Sequence, residues 1–373
     1  MRVFHVVSSG DAQSIPAELA LRLPLPEQNL RVAIFNKTTT SQTTCTDDRI
    51  IEIGARSPVD IAAIFRLGKA ITAFDPDIVH LHHAASSFWA TWLARLGRRV
   101  GAGARRVLLK TEHNDRNHQA LKNDIINALT YPTLDGIVCN SKATQSSLRP
   151  RETRSVSHNT WPIYNGVDIE RVERAGRFRQ RRRDEMDLTP DDFCIGTVGR
   201  FVEQKNLDLL LAGFEKVKSP KRLVLVVVGS GPLEPHLKDL ANRLKVQDRV
   251  IFTGPLERDQ VYGTLAAMDG FIMPSLWEGF CNAAVEALAA GLPIAASNLA
   301  VLHEVLGQSP LYFEPDSVEE IAKAVMDLSS LSSDKIDEMS DANRLTASKY
   351  ALEIAADNYL KLYEELLTAG GKS

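Results

Sequence analysis

Short apolar runs alternate with helix-patterned segments along most of the chain. Residues 2–7 (RVFHVV), 30–36 (LRVAIFN) and 76–83 (PDIVHLHH) are apolar runs bounded by polar or turn-forming residues. Segments such as 17–23 (AELALRL) lie between them and have helical spacing. Continuous apolar strands separated by helices are typical of a parallel sheet covered by helices on both faces. The alternation therefore predicts an α/β fold.

The same alternation continues through the rest of the chain. Further strands are expected at 105–113, 135–141, 193–201, 221–232, 248–256, 269–275 and 292–297. A chain of 373 residues is longer than a typical single domain. Two successive sets of strands and helices predict two Rossmann-like, doubly wound parallel-sheet domains that face each other.

The domain boundaries follow from a change in composition. Residues 165–192 are charged and lack strand character, so the linker is placed at 171–190. The first domain is expected at 1–170 and the second at 191–346. Residues 341–367 are amphipathic with helical spacing, and the terminal segment 347–373 is expected to return to the first domain.

The composition is that of an ordinary globular protein, with 44% hydrophobic and 24% charged residues. A net charge of −3 argues against a nucleic-acid binder. Two basic runs, at 95–106 and 174–184, depart from that balance. Each is either a solvated surface or a contact for an anionic surface such as the inner leaflet of a membrane.

The cysteines favour a reducing compartment. Cys45, Cys139, Cys194 and Cys281 are widely scattered and match neither a zinc spacing nor a disulfide framework. The apolar run at the amino terminus is too short for a signal peptide, and no apolar stretch has the length of a membrane span. The sequence thus predicts a cytoplasmic protein, at most peripheral to the membrane.

The stretch EGFCNAAVE, residues 278–286, places Glu278 and Glu286 among small and apolar residues. Residues 271–275 (FIMPS) read as a strand, 276–281 (LWEGFC) as a loop and 282–290 (NAAVEALAA) as a helix, so the stretch spans a strand-to-helix turn. Ligands of open parallel sheets bind at such turns, and a helix amino terminus attracts phosphate. Either glutamate alone could be structural, but the pair with Gly279 and Asn282 between them indicates a binding site for a phosphorylated, hydroxyl-rich ligand.

Two cations follow another strand. Arg200 and Lys205 lie five residues apart across a turn, where both could face one anion such as a leaving diphosphate. Ordinary turn charges are the alternative. The glycine-rich residues 226–232 (VVVGSGP) allow close backbone approach or form only a tight turn, and they complete no dinucleotide or Walker motif.

His113 is the histidine expected in the site, because it ends a predicted strand of the first domain. A hydrogen-bonded structural histidine is the alternative. His82 and His83 should point to opposite sides of their strand, which argues against a shared metal ion. The chain has no Gly-x-Ser-x-Gly motif for a nucleophilic serine. Neither a metal nor a cofactor is predicted.

Taken together, several motifs resemble family 4 of the retaining glycosyltransferases, which have GT-B architecture. The resemblance spans nearly the whole chain and is strongest at 273–297. Its motifs are VHLHH, TEHN, CNSKATQSSL, IYNGVD, IGTVGRFVEQKNLDLLL, VVVGSGPL, VIFTGPL and MPSLWEGFCNAAVEALAAGLPIAAS.

The resemblance implies a role for each site residue. Glu278 would bind hydroxyls of the donor sugar, Glu286 would hold the ribose, and Arg200 with Lys205 would bind the diphosphate. His113 would lie near the donor sugar and the acceptor hydroxyl. The catalytic set would be His113, Arg200, Lys205 and Glu278. The donor-binding set would be Arg200, Lys205, Gly254, Pro255, Leu256, Glu278, Gly279, Phe280, Cys281, Asn282 and Glu286.

Two positions depart from the family pattern. The first strand-to-helix loop has the single Gly10, on the acceptor side, where family members commonly have two glycines. Cys281 stands where glycine or proline is usual, and its small side chain should leave the backbone site for phosphate intact.

The resemblance implies retaining, metal-independent transfer of a sugar from a nucleotide-sugar donor, with a UDP-sugar favoured. The acceptor would be a saccharide or a lipid-linked saccharide, in lipopolysaccharide, O-antigen or other surface polysaccharide synthesis. A nucleotide-sugar 2-epimerase of the same architecture and a non-catalytic nucleotide-sugar-binding partner of a transferase are the alternatives.

Overall fold

The computed structural model describes residues 1–8, 14–36, 47–97 and 106–370. The chain divides into two compact units, Met1–Gly166 with Leu352–Ser373 and Val167–Ala351. It passes to the second unit after Gly166 and returns after Ala351. The expected linker 171–190 instead forms helices inside the second unit, and the return, at Leu352, lies five residues later than the expected start at 347.

The first unit is built on a parallel sheet that has seven strands within the described ranges, in the order β3-β2-β1-β4-β5-β6-β7. Numbering elements in chain order, the strands are β1 Val3–Val7, β2 Leu30–Asn36, β3 Ile50–Ala55, β4 Ile78–His82, β5 Val107–Glu112, β6 Gly136–Cys139 and β7 Thr160–Pro162. The helices are α1 Ile15–Leu21, α2 Ile61–Phe74, α3 Ala84–Gly97, α4 Leu121–Thr130, α5 Lys142–Ser146, α6 Pro150–Ser155 and α16 Leu352–Gly370.

Helices cover both faces of this sheet. On one face α2 and α3 bury Leu67, Ile71 and Ala90 against β1, β4 and β5. On the other face α16 buries Tyr359 and Tyr363. Burial on both faces explains why these strands are continuous apolar runs in the sequence.

The second unit has a parallel sheet of six strands in the described chain, in the order β10-β9-β8-β11-β12-β13. The strands are β8 Phe193–Val198, β9 Leu223–Val228, β10 Val250–Gly254, β11 Gly270–Met273, β12 Ile294–Ser297 and β13 Leu311–Phe313. The helices are α7 Ile169–Ala175, α8 Arg179–Glu185, α9 Leu207–Lys216, α10 Glu234–Arg243, α11 Arg258–Ala267, α12 Asn282–Ala289, α13 Ala300–Leu306, α14 Val318–Ser329 and α15 Ser333–Ser348.

Both sheets reverse their strand order once. In the first unit the chain moves outward from β1 to β3 and then continues on the other side of β1 from β4. In the second unit it moves from β8 to β10 and resumes beside β8 at β11. Such a reversal leaves a crevice at the carboxyl ends of the two central strands, where ligands of doubly wound folds bind. The predicted α/β fold with two parallel-sheet domains is confirmed.

The terminal helix predicted over 341–367 is wrong in one respect, because it is broken. α15 ends at Ser348 and α16 begins at Leu352. Between them the carbonyl oxygen of Tyr350 accepts a hydrogen bond from the backbone N–H of Val167, 2.8 Å away. The phenol ring of Tyr350 also packs edge-on against Phe280, with centroids 5.4 Å apart. These contacts fix the turn at residues 349–350, just before the chain leaves the second unit.

Candidate active site

The crevice of the second unit contains a buried ion pair. Lys205 ends a short 3-10 turn after β8, and Glu278 lies in the loop after β11. The Nζ of Lys205 is 2.5 Å from Oε1 of Glu278, which also accepts a hydrogen bond from Oγ of Ser275 at 2.7 Å. Burial would lower the pKa of Lys205, but the adjacent carboxylate outweighs it and raises that pKa. Lys205 is therefore a fixed positive charge.

A second buried ion pair lies on α12. Glu286, one turn into this helix, places Oε1 2.6 Å from Nη1 of Arg258, the first residue of α11. The hydroxyl of Tyr262 lies 3.5 Å from the same oxygen. Both glutamates are thus buried, as the sequence suggested, and each is compensated by a cation.

The start of α12 lies between these pairs. Asn282 is the first helical residue, as predicted, and Cys281 precedes it with φ of +75°. Left-handed backbone at a residue other than glycine costs about 1–2 kcal/mol. Burial and the nearby Glu278 carboxylate raise the pKa of the Cys281 thiol, so it stays protonated and is a poor nucleophile. The helix amino terminus contributes positive potential to the loop.

The glycine-rich turn after β9 packs closely against the loop that follows β8. A Cβ on Gly229 would lie 2.0 Å from the carbonyl oxygen of Gly199, and one on Gly231 would lie 2.5 Å from that of Phe201. Only glycine allows this approach, and the N–H of Phe201 donates to the carbonyl of Ser230 at 2.9 Å. The turn fixes the backbone on either side of Arg200, whose side chain is exposed.

The loop at residues 254–256, part of the predicted donor-binding set, begins at the end of β10. Gly254 has φ of +71°, a value that favours glycine, and its carbonyl oxygen accepts a hydrogen bond from the N–H of Gly229 at 3.1 Å. Pro255 is exposed and Leu256 half-buried. This loop leads directly into Arg258, the partner of Glu286.

In the first unit, the crevice between β1 and β4 contains a chain of histidines. Nε2 of His113 lies 3.2 Å from Nδ1 of His82, and Nε2 of His82 lies 3.1 Å from Nδ1 of His5. The hydroxyl of Tyr363 on α16 connects His5, at 3.4 Å, to Nδ1 of His80, at 2.5 Å. We call these five side chains the histidine chain.

The histidine chain is uncharged. Burial lowers the pKa of His5 and of His113 to about 3, and the pKa values of His80 and His82 are also well below 6.5 for the same reason. Neutral imidazoles can each donate one hydrogen bond and accept another, which matches the sequence of contacts.

Ring nitrogens of His5, His80 and His82 lie within 4.8 Å of one another, close enough for a metal ion. The nitrogens nearest one another are already hydrogen-bonded: His5 and His82 to each other, and His80 to Tyr363 and to Thr111 at 2.7 Å. The contacts are those of a satisfied polar network.

Sequence reasoning missed several partners. Arg258 and Ser275 follow strands as the predicted residues do, and their position was the available signal. Nε2 of Gln204, beside Lys205, donates to the carbonyl of Trp277 at 2.8 Å and ties the two loops together. His80 could have been found from strand periodicity, because it lies two residues before His82 on β4 and shares its face. His5 lies on β1, whose pairing with β4 the sequence does not specify.

Two sequence features take no part in the described site. Gly10 and residues 98–105 of the first basic run lie outside the described residues. The second basic run is largely paired within its own unit: Arg183 is buried and donates to Asp269 at 3.0 Å, and Arg181 pairs with Glu185 at 2.9 Å.

Two parallel-sheet α/β units, with a charged site at the amino terminus of α12 in the second unit, are typical of the GT-B class of fold. The structure of HepE from Anabaena, solved in complex with UDP and glucose, aligns with a TM-score of 0.79 at 16% identity and covers 98% of this chain and 100% of that one. The family models "Glycosyltransferase Family 4" and "Glycosyl transferases group 1" match residues 25–171 and 192–330. The chain belongs to the family 4 glycosyltransferases.

Curated relatives match over part of their length. The 2-deoxystreptamine glucosyltransferase of Streptomyces kanamyceticus is 28% identical over 209 residues, 55% of this chain and 54% of that protein. The alpha-monoglucosyldiacylglycerol synthase of Streptococcus pneumoniae is 27% identical over 241 residues, 62% of this chain and 51% of that protein. The chain thus spans about half the length of these two relatives.

Proposed function

We propose that this protein is a retaining glycosyltransferase that moves a sugar from a nucleotide-sugar donor to a saccharide or lipid-linked acceptor. The observation that carries the proposal is the pair of buried ion pairs, Lys205–Glu278 and Arg258–Glu286, on either side of the start of α12. Buried charges are costly unless they serve a ligand or a structure, and this site lies where doubly wound sheets bind ligands.

Each side chain has a role in this proposal. Lys205 and Arg200 bind the diphosphate and stabilise its charge as the sugar leaves, aided by the amino terminus of α12. The carboxylate of Glu278 accepts hydrogen bonds from sugar hydroxyls, and that of Glu286 accepts them from the ribose. Backbone groups of residues 279–282 and of 254–256 contact the phosphates and the base.

The reaction proposed is a front-face substitution. The bond from the anomeric carbon to the acceptor oxygen forms as the bond to the phosphate oxygen breaks, and the acceptor proton passes to that phosphate oxygen. His113 lies beside the reacting centre in its neutral form. Two basic side chains and a helix end supply the positive charge, so the transfer is proposed to need no metal ion.

UDP-sugars are the favoured donors, since HepE, a structural neighbour, was solved with UDP and glucose. A lipid-linked acceptor at the inner face of the cell membrane is favoured because one relative is named for a diacylglycerol glycolipid. We place the reaction in the synthesis of lipopolysaccharide, O-antigen or another surface polysaccharide.

The proposal is tested by nucleotide binding followed by transfer. UDP, GDP, ADP and CDP are compared by thermal shift on the wild type and on Glu286→Ala. We expect stabilisation by one diphosphate, lost in the variant, and transfer that persists in excess chelator. Binding without transfer to any offered acceptor would favour a non-catalytic binding partner, and conversion of the donor itself would favour the 2-epimerase.

A second result bears on the metal. Loss of transfer in chelator that Mg²⁺ or Mn²⁺ restores would contradict the metal-independent mechanism while leaving the donor site in place.

A further inference from the structure

The outer face of the helical layer formed by α2, α3 and α4 is unusually apolar. Most of the large hydrophobic side chains that are exposed lie on this face or just before α2. Among the described residues, only Leu345 and Ile354 of this group lie elsewhere. The exposed apolar residues of this face are Val59, Ile61, Phe65, Trp92, Leu121, Ile125 and Leu129. We call this set the apolar face.

These side chains lie on neighbouring elements of one layer. α3 packs between α2 and α4, so the three helices are neighbours in one layer. Ile61 and Phe65 lie four residues apart on α2, and Leu121, Ile125 and Leu129 follow the same spacing on α4. Residues four apart share a side of a helix. Phe65 and Ile61 are each 79% exposed, and exposed apolar residues that cluster in this way mark interaction surfaces.

The exposed charges on α2, α3 and α4 are positive: Arg66, Lys69 and Lys122, whereas Arg95 lies 3.8 Å from Asp135. Asp124 is paired with Arg116 at 2.9 Å and with Arg149 at 2.8 Å. Asp60, between Val59 and Ile61, accepts hydrogen bonds from the backbone N–H groups of Arg56 and Ala63. The solvent-facing helices α14 and α15 of the other unit show the opposite balance. They contain seven carboxylates and three basic residues.

An apolar face with a basic border and a tryptophan is the composition of a surface that lies in the interfacial region of a bilayer. We propose that this face docks the protein onto a membrane that contains anionic lipids. A second copy of the chain is a poorer occupant, because a two-fold contact through this face would place Lys69 and Lys122 of each copy against the same basic surface.

The direction of the helices gives the docking a consequence. Helices between parallel strands run opposite to the strands, so α2 and α4 begin at the edge of the sheet where the strands end. Val59, Ile61 and Leu121 therefore lie at the same edge as His113 and the end of the histidine chain. A lipid-linked acceptor held in the bilayer would enter the first unit at this edge, a statement that rests on the proposed function.

The test measures membrane binding without donor or acceptor. The full-length protein is floated with vesicles of phosphatidylcholine alone and with vesicles that also contain phosphatidylglycerol. We expect binding to the anionic vesicles, reduced at least about tenfold in Phe65→Ser/Ile125→Ser, because both substitutions remove apolar side chains that would be buried in the bilayer interface. Leu345→Ser/Ile354→Ser is the matched control and should bind as the wild type does.

A charge variant tests the anionic part of the proposal. Lys69→Glu/Lys122→Glu should weaken binding to the phosphatidylglycerol vesicles about tenfold or more and hardly change binding to neutral ones. Equal binding of wild type to both vesicle types, or unchanged binding of Phe65→Ser/Ile125→Ser, would overturn the proposal. A dimer in light scattering that this variant abolishes, without vesicle binding by the wild type, would assign the face to a second copy.

The outcome is separable from that of the proposed function. Thermal shift with UDP is measured on the same preparations, and the face residues substituted, Phe65, Lys69, Lys122 and Ile125, lie in the other unit from the donor site. If the protein binds UDP but no vesicles, only the proposed docking face is contradicted. If it floats with vesicles but binds no nucleotide, the docking face is supported and the proposed donor site is contradicted.

Discussion

The two crevices of this protein lie at the same place in the same topology, yet their polar groups differ in kind. In the first unit the crevice between β1 and β4 contains the histidine chain, whose members are neutral and bonded to one another. In the second, the crevice between β8 and β11 contains buried ion pairs. Neutral imidazoles suit a hydroxyl-bearing ligand, whereas fixed cations suit a diphosphate. The fold places the crevice, and the side chains decide its ligand.

The largest effect is expected from removing the cation of the second crevice. Lys205→Ala should lower the rate of transfer by at least about 10²–10³-fold, the size typical for loss of one preorganised electrostatic contact. The substitution also leaves Glu278 buried without its cation, so a lower Tm is expected. Steady-state kinetics measures the rate, and Lys216→Ala, at an exposed ion pair, is the control. Full activity in Lys205→Ala would remove this residue from the mechanism.

The second prediction concerns the ribose contact. Glu286→Gln keeps the shape of the side chain but weakens both the ion pair with Arg258 and any hydrogen bond to a ribose hydroxyl. We expect UDP affinity to fall about tenfold or more, measured by calorimetry, since hydrogen bonds to charged groups contribute roughly 1.5–3 kcal/mol. Glu319→Gln, an exposed partner of Lys216, serves as control. Unaltered UDP affinity in Glu286→Gln would separate this carboxylate from the donor.

The third prediction is an acid sensitivity that originates in the first crevice. The folded pKa values of His5 and His113 are about 3, against 6.5 for an unperturbed histidine. Below pH 6.5 the unfolded chain therefore binds protons that the folded chain excludes, and the free energy of unfolding falls by up to about 1.4 kcal/mol per histidine and pH unit. Urea unfolding at pH 7 and pH 5.5 should show this loss.

The matched variant for that measurement is His5→Gln, which removes one titrating group and keeps a hydrogen-bonding side chain. Its stability should depend less steeply on pH than that of the wild type between pH 7 and 5.5. An equal slope in both proteins would mean that His5 is not the origin of the acid sensitivity.

The smallest effect is expected at the start of α12. Cys281→Gly removes the cost of a left-handed residue but adds backbone freedom to the unfolded chain, so the two changes should cancel to within about 1 kcal/mol. Transfer should be retained. Cys281→Val, with a branched side chain at the same positive φ, should destabilise the protein by more than Cys281→Gly does. Thermal unfolding of both variants checks the order, and a valine variant as stable as the glycine one would contradict it.

Much of the architecture could be predicted from the sequence because buried parallel strands are continuous apolar runs. β3, β7 and β13 were not predicted. Glu52 interrupts the apolar run of β3, β7 has only three residues, which include Trp161 and Pro162, and β13 also has only three residues. The break between α15 and α16 was also not predicted. Residues 349–351 (KYA) contain no glycine or proline, and the helical spacing of the apolar residues predicts one continuous helix. Only packing around Tyr350 ends the helix there.

The sequence by itself determined the fold class, the position of Glu278 and Glu286 around the start of α12, and the placement of Lys205 after β8, because strand ends and helix starts are local patterns. Tertiary structure decided which charges meet. Arg258 reaches Glu286 from another helix, and Tyr363 reaches His5 and His80 from the far end of the chain. Contacts across such separations depend on the order of strands in a sheet, which no local pattern specifies.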